Sequence, residues 1–159
     1  MRIVLVRHGK AEPYAADDAA RALTDSGRAQ AQATGEWLRE TLGEAAGARL
    51  LASPYRRAQE TAASLAPLLG LEVLTVAGIT PDVDPRQALA AIEAAGQGAP
   101  LLVVVSHMPL MAALAGWLQE GVLNAGRAFD LGEARVLEAD LPGPGLAREL
   151  AVFIPRLRH

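Results

Sequence analysis

Two histidines stand directly behind short apolar runs, and the residues around them could handle a phosphoryl group. His8 sits in Arg7-His8-Gly9 behind Arg2–Val6, and His107 sits in Ser106-His107 behind Leu101–Val105. A third polar cluster, Ser53-Pro54-Tyr55-Arg56-Arg57, follows Leu50–Ala52. A neutral imidazole is a good nucleophile near pH 7 without a strong base to activate it. Guanidinium groups nearby disfavour its protonated form, so Arg7 and Arg57 would keep His8 neutral. The same arginines offer planar donor forks that match phosphate oxygens two at a time. A protonated His107 could donate to an equatorial oxygen as charge redistributes in transfer. Gly9 allows close approach of backbone to ligand, or a left-handed turn. Either histidine alone reads more simply as a backbone cap or a polar filler. Two histidines and two arginines at strand ends read as a phosphoryl pocket with one covalent acceptor.

Rival chemistries fit less well. A metal site lacks an acidic third ligand beside the histidines, and two arginines would repel a divalent cation. No G-x-x-x-x-G-K-[ST] occurs, and no G-x-G-x-x-G follows the first apolar run. Neither metal nor cofactor is expected. The chain has no cysteine, which excludes disulfides, thiolate zinc and a cysteine nucleophile. His159, the remaining histidine, is the C-terminal residue, where fraying is expected.

The 159 residues are 51% apolar and 21% charged, with a net charge of -3. Such a chain can bury a core and is not a disordered polymer. It lacks the basic excess of a protein that coats nucleic acid. Of the 15 lysines and arginines only Lys10 is lysine, so arginine abundance carries no message and position must carry it. No apolar run reaches the roughly 20 residues of a membrane span, and no signal-peptide pattern opens the chain. A soluble, cytoplasmic protein with no membrane partner is expected.

The elements that must position these residues alternate. Strands are predicted at 2–6, 50–52, 72–75 and 101–105. Helices are predicted from about Ser26 to Glu44, from about Tyr55 with Pro67 disturbing the last turn, over 86–95, and from Pro109. Residues 10–24 form a polar loop, and Thr24 or Asp25 caps the helix behind it. Two last strands, 134–141 and 146–154, flank Pro142-Gly143-Pro144-Gly145 as an antiparallel hairpin. The pattern gives one α/β domain over 1–159: a three-layer sandwich whose mostly parallel central sheet carries helices on both faces. In such sheets ligands bind beyond the carboxyl ends of the strands, where all three polar clusters fall.

Several of these segments together resemble the histidine phosphatase superfamily, which includes the phosphoglycerate mutases. Arg7-His8-Gly9 is similar to its signature behind the first strand. Leu23-Thr24-Asp25-Ser26-Gly27-Arg28-Ala29-Gln30-Ala31 resembles its L-T-x-x-G-x-x-Q-A element. Ser53-Pro54-Tyr55-Arg56-Arg57-Ala58-Gln59-Glu60-Thr61 resembles S-P-x-x-R-A-x-x-T, and Ser106-His107 falls at the second-histidine position. The motifs span residues 1–115. Arg21-Ala22-Leu23-Thr24 and Val105-Ser106-His107-Met108-Pro109-Leu110 look most like the SixA-type protein phosphohistidine phosphatases, compact members without an inserted cap subdomain.

The resemblance implies that His8 becomes phosphohistidine, that Arg7 and Arg57 bind the phosphoryl group, and that His107 completes the pocket. Arg56 is then a solvated neighbour. Thr24 and Gly27 shape the loop and helix start, and Gly9, Arg21 and Met108 are candidate substrate contacts. Many members carry a glutamate or aspartate acid behind the third strand. Here that stretch, Gly78–Pro85, lacks the usual glutamate, leaving Asp82 or Asp84 as acid or as mere turn formers. A phosphoramidate, whose imidazole departs readily, needs little acid. The expected function is a metal-independent phosphatase acting through phospho-His8 on protein phosphohistidine, with a histidine phosphocarrier domain as partner. The alternatives are a small-molecule phosphomonoesterase with the same chemistry, acting on a small phosphate ester, and a catalytically silent phosphate-binding module.

Overall fold

A computed structural model describes residues 1–44 and 46–156, so the expectation for His159 lies outside the described residues. Its six strands are β1 (Arg2–Arg7), β2 (Arg49–Ala52), β3 (Val73–Thr75), β4 (Leu101–Ser106), β5 (Ala134–Glu138) and β6 (Arg148–Phe153). The helices are α1 (Asp25–Leu42), α2 (Arg56–Leu69), α3 (Pro85–Gly96) and α4 (Leu110–Glu120). The strands form one sheet in the order β3-β2-β4-β1-β5-β6. The first four in that order run parallel, and β5 and β6 add an antiparallel edge beside β1. This is the α/β sandwich the periodicity called for.

Burial on both faces explains the apolar runs. All six residues of β4 are buried, as are Ile3 to Val6 of β1. Val4, Val6, Val103 and Val105 meet Leu38, Ala58, Ala62 and Leu65 of α1 and α2 on one face. Alternate residues Ile3, Leu5, Leu102 and Val104 meet Ile92, Leu114 and Leu118 of α3 and α4 on the other. Each strand side chain belongs to one layer or the other because the pleat alternates. β1 and β4 are the central pair of the sheet, and both histidines follow them.

Some expectations need correction. Helix α1 stops at Leu42 because Gly43 takes a positive φ of 64°, which favours glycine. Helix α2 passes through Pro67 undisturbed to Leu69 and stops at left-handed Gly70. Pro67 and Ala63 lie on the exposed side of α2, so the carbonyl that loses its N–H partner can bond water. Meanwhile Ala62 and Leu65 hold the other side to the sheet. The last hairpin is shorter than predicted, and 139–147 is a long connection. Its backbone bonds elsewhere: Ala139 N–H to Met1, Gly145 N–H to Trp117 and Ala147 N–H to Leu118. Pro109 precedes α4 as its cap, one position before the predicted first helical residue.

The 10–24 loop is more ordered than its composition suggested. Ala11 and Leu23 pair as an antiparallel bridge, and Asp18–Ala20 form a 3-10 turn capped by Asp17. Leu23 is buried, and its N–H donates to Glu60 of α2 at 2.7 Å. The loop is thereby tied across the start of α2. Among the described residues no helix is long and apolar enough to cross a membrane.

Candidate active site

His8 leaves the end of β1 almost fully enclosed, at 7% exposure. Its backbone is held on both sides, N–H to Ser106 at 3.1 Å and carbonyl from Gly132 N–H at 3.1 Å. Its Nδ1 lies 2.7 Å from the Gly9 carbonyl. A carbonyl can only accept, so this bond puts the ring proton on Nδ1 and leaves the Nε2 lone pair free. Burial pushes the imidazole down to about 4; the Gly9 carbonyl opposes this, while Arg57, Arg7 and Arg21 add to it. At neutral pH His8 is therefore an oriented, unprotonated imidazole with a free nitrogen lone pair.

Gly9 and Gly27 make that orientation possible. A Cβ on Gly9 would collide with the Gly27 carbonyl, and one on Gly27 with the Lys10 carbonyl. The strand exit and the start of α1 thus touch backbone to backbone. Thr24 caps α1 through the Gly27 N–H at 2.9 Å, the shaping role expected for these two residues. Thr61 of α2 accepts from Gly9 N–H at 3.1 Å, fixing the loop from the other side.

His107 follows β4, with its ring centroid 5.3 Å from that of His8. Its Nε2 lies 2.7 Å from Ser53 Oγ, which also accepts the Tyr55 N–H at 3.3 Å. A hydroxyl accepting from Tyr55 keeps both a proton and a second lone pair for Nε2, so this bond fits either ring tautomer of His107. Burial lowers His107 to about 3, helped by His8, Arg57 and Arg21 and opposed by Asp18. Tyr55 packs its ring edge-on at 4.9 Å. Leu110–Glu120 begins just behind, so the positive end of α4 lies beside the imidazole.

The arginines converge from different directions. Arg7 donates from Nη1 to the Phe129 carbonyl at 2.7 Å. Arg57 is 4% exposed and sits in the first turn of α2, where a cation opposes the helix dipole. The helix tolerates it because Asp18 accepts from Nη1 through its carbonyl at 2.9 Å and from Nη2 through its carboxylate at 3.3 Å. Asp18 also binds Arg21 Nε at 2.8 Å, bringing Arg21 to the rim. Bonds to Arg21 hold the Asp18 carboxyl below the ordinary range, with Arg57 assisting. Among the described residues, the buried side-chain polar atoms without a partner are Arg7 Nε, Arg57 Nε and His107 Nδ1. Buried polar groups seldom stay unpaired. That all three belong to this cluster marks it as a site that takes a polar ligand, and donors of this kind suit an oxyanion.

The remaining candidates lie further out. Met108 is half-buried against the α3–α4 core. Asp84 caps α3 through Arg86 N–H at 2.8 Å and pairs with the Arg86 side chain, which holds it at about 2. Its carboxylate is committed and carries no proton to donate near neutral pH. Asp82 is exposed on a cleft of about 240 Å³ shared with Pro109, Leu110 and Asn124. Sequence reasoning assigned no role to Asp18, Ser53, Thr61 or the Phe129 carbonyl. Only Ser53 and Thr61, inside the S-P-x-x-R-A-x-x-T element, left a signal. No group of three or more His, Asp or Glu side chains placed to hold a metal occurs among the described residues.

Residues 3–80 match the family model described as histidine phosphatase superfamily, branch 1. The chain is 37% identical over 119 residues to a phosphohistidine phosphatase SixA homolog of Haemophilus influenzae, covering 70% of this chain and 73% of that protein. It is 29% identical over 126 residues to the phosphohistidine phosphatase SixA of Escherichia coli K12, covering 76% of each. Among solved structures it is similar to the protein histidine phosphatase SixA complexed with tungstate. That match has a TM-score of 0.84 and 26% identity over 97% of both chains.

Proposed function

The chain belongs to the histidine phosphatase superfamily, and on that premise we propose that it removes phosphoryl groups from protein phosphohistidine through a covalent phospho-His8 intermediate. The observation that carries this reading is the free, outward Nε2 of a neutral His8 surrounded by Arg7, Arg57 and His107. Nε2 attacks phosphorus in line; the new N–P bond forms as the substrate's N–P bond breaks. The substrate imidazole, already protonated on its other ring nitrogen, leaves neutral with the electron pair of the broken bond, so neither an enzyme acid nor an expelled alkoxide is needed. Water then attacks phospho-His8, releasing inorganic phosphate and restoring Nε2. Arg7 and Arg57 hold the equatorial oxygens, and His107 Nδ1–H donates to one as charge builds. Every donor in this scheme is a protein group, so no metal is required.

The weakness of the acid supports a phosphoramidate substrate. Asp84 is spent on capping, which leaves Asp82 as the carboxyl able to serve an ester. The named relatives are phosphohistidine phosphatases, which agrees. We place the enzyme in the cytoplasm as one domain without an inserted cap, open to a phosphocarrier domain, with Gly9, Arg21 and Met108 toward the substrate. Hydrolysis of a phosphohistidine protein should exceed that of p-nitrophenyl phosphate and sugar phosphates in kcat/KM. Equal or faster ester hydrolysis would establish a small-molecule phosphomonoesterase instead and make Asp82 its acid. Phosphate binding with no turnover of any of them would leave a binding module.

A further inference from the structure

Glu133 and Arg135 form an ion pair with both side chains only 2% exposed, away from any role in the transfer itself. Burying two charges is a poor way to gain stability, because an apolar pair of the same volume often does as well or better. What the pair provides is geometry. Arg135 gives Nε to Glu133, Nη1 to the Arg127 carbonyl at 3.0 Å and Nη2 to the Ala128 carbonyl at 2.7 Å. Its guanidinium carbon also lies 3.7 Å from the centre of the Phe129 ring. Glu133 in turn accepts the Asp130 N–H at 2.9 Å. Residues 127–133 are thus gripped at four successive points, 127 to 130, by one buried pair.

That same segment holds the reacting end of β1. The Phe129 carbonyl takes Arg7 Nη1 at 2.7 Å, the Glu133 carbonyl takes Arg7 N–H at 3.0 Å, and Gly132 N–H binds the His8 carbonyl. We infer that Arg135 is a positioning residue: by fixing the 127–133 segment it aims the Arg7 guanidinium at the phosphoryl group. It also pairs the Glu133 carboxylate, which would otherwise draw Arg7 toward itself. This inference rests on the reading of Arg7 as a phosphoryl ligand.

A double-mutant cycle tests it, with the rate of His8 phosphorylation by phosphoramidate as the readout. Arg135→Lys keeps the charge but loses the fork. With Arg7 present it should lower that rate about 10-fold, the scale set by sub-ångström to ångström misplacement of a catalytic group. In an Arg7→Ala background the same change should cost less than about 2-fold, since the residue it aims is gone. Thermal unfolding run alongside identifies folded variants. If Arg135→Lys does not fold, Arg135→Met combined with Glu133→Gln removes both charges at similar volume and should give the same contrast. Equal losses in the two backgrounds overturn the inference and mean that Arg135 does not act through Arg7. An Arg7→Ala protein with undiminished rate overturns both this inference and the reading of the site.

Discussion

Arg7 and Arg57 both act on the His8 imidazole but are held in opposite ways. Arg7 is braced from the protein interior by the Phe129 carbonyl, on a segment pinned by a buried ion pair. Arg57 is held from outside by Asp18, whose side chain is 63% exposed on the 10–24 loop. Interior bracing gives pre-organisation, since nothing must move before an oxyanion arrives. An exposed carboxylate gives something else: an anion already on the fork, which phosphate must displace or share. On the proposed mechanism one arginine stays braced while the other exchanges partners, which would aid release of the inorganic phosphate product.

Removing each arginine tests this contrast most strongly. Arg7→Ala and Arg57→Ala should each cost about 100- to 1,000-fold in kcat/KM, as loss of one preorganised charge donor does elsewhere. Their stabilities should differ in kind. Arg7→Ala strands the Phe129 carbonyl and should lose about 1–3 kcal/mol by denaturant unfolding, whereas Asp18 set free by Arg57→Ala is solvated. Equal stability losses traced to both partners would break the comparison.

Ser53→Ala is the next largest. It removes the hydroxyl that holds His107 Nε2. A fall of about 10-fold in kcat with KM little changed is expected, because the donor acts as charge develops. A rise in KM alone would place His107 in ground-state binding only.

Asp18→Asn should act in the other direction. An exposed pair is worth only about 0.2–1 kcal/mol, so neutralising it should tighten vanadate or phosphate inhibition by up to about 5-fold. The effect should fade with added salt. Weaker inhibition would show that Asp18 orients Arg57 and does not compete for it.

The pH dependence separates the buried centre from the exposed loop. His8 and His107 are held at about 4 and about 3 in the fold, against roughly 6.5 when unfolded. Between those values the unfolded chain binds more protons, so their contribution to stability is present above about pH 6.5 and is lost as pH falls toward 4. Imidazole NMR at pH 6 should find both rings neutral; titration of either near 6.5 would contradict their burial. Bound phosphate should raise both values.

The parts of the fold and site that were legible in the sequence are those written in short-range pattern. β4 was legible because Leu101–Val105 is a short, branched, unbroken apolar run between Pro100 and Ser106, the composition of a strand covered on both faces. His8, His107, Arg7 and Arg57 were legible because strand ends are where such sheets place chemistry, and because their motifs are local. Pro67 misled because the rule against proline in helices does not know which face is wet. The 139–147 connection misled because its partners are Met1, Trp117 and Leu118, far off in the chain. Asp18 meets Arg57 across 39 positions, and Ser53 meets His107 across 54. Arg7 reaches Phe129 across 122. No periodicity encodes such meetings. Arg135, an arginine inside an apolar strand, was not singled out by the sequence pattern, because its role lies in contacts with residues 127–133.

A covalent phosphoryl group on His8 Nε2 separates this mechanism from direct hydrolysis and from phosphate binding without turnover. Mixing the protein with phosphoramidate, quenching in alkali and measuring intact and peptide mass should reveal one acid-labile, alkali-stable phosphoryl adduct on the peptide containing His8. His8→Ala should abolish it, while Asp18→Asn and Asp82→Asn should retain it. Turnover with no such adduct, or an adduct that survives His8→Ala, would contradict the mechanism outright.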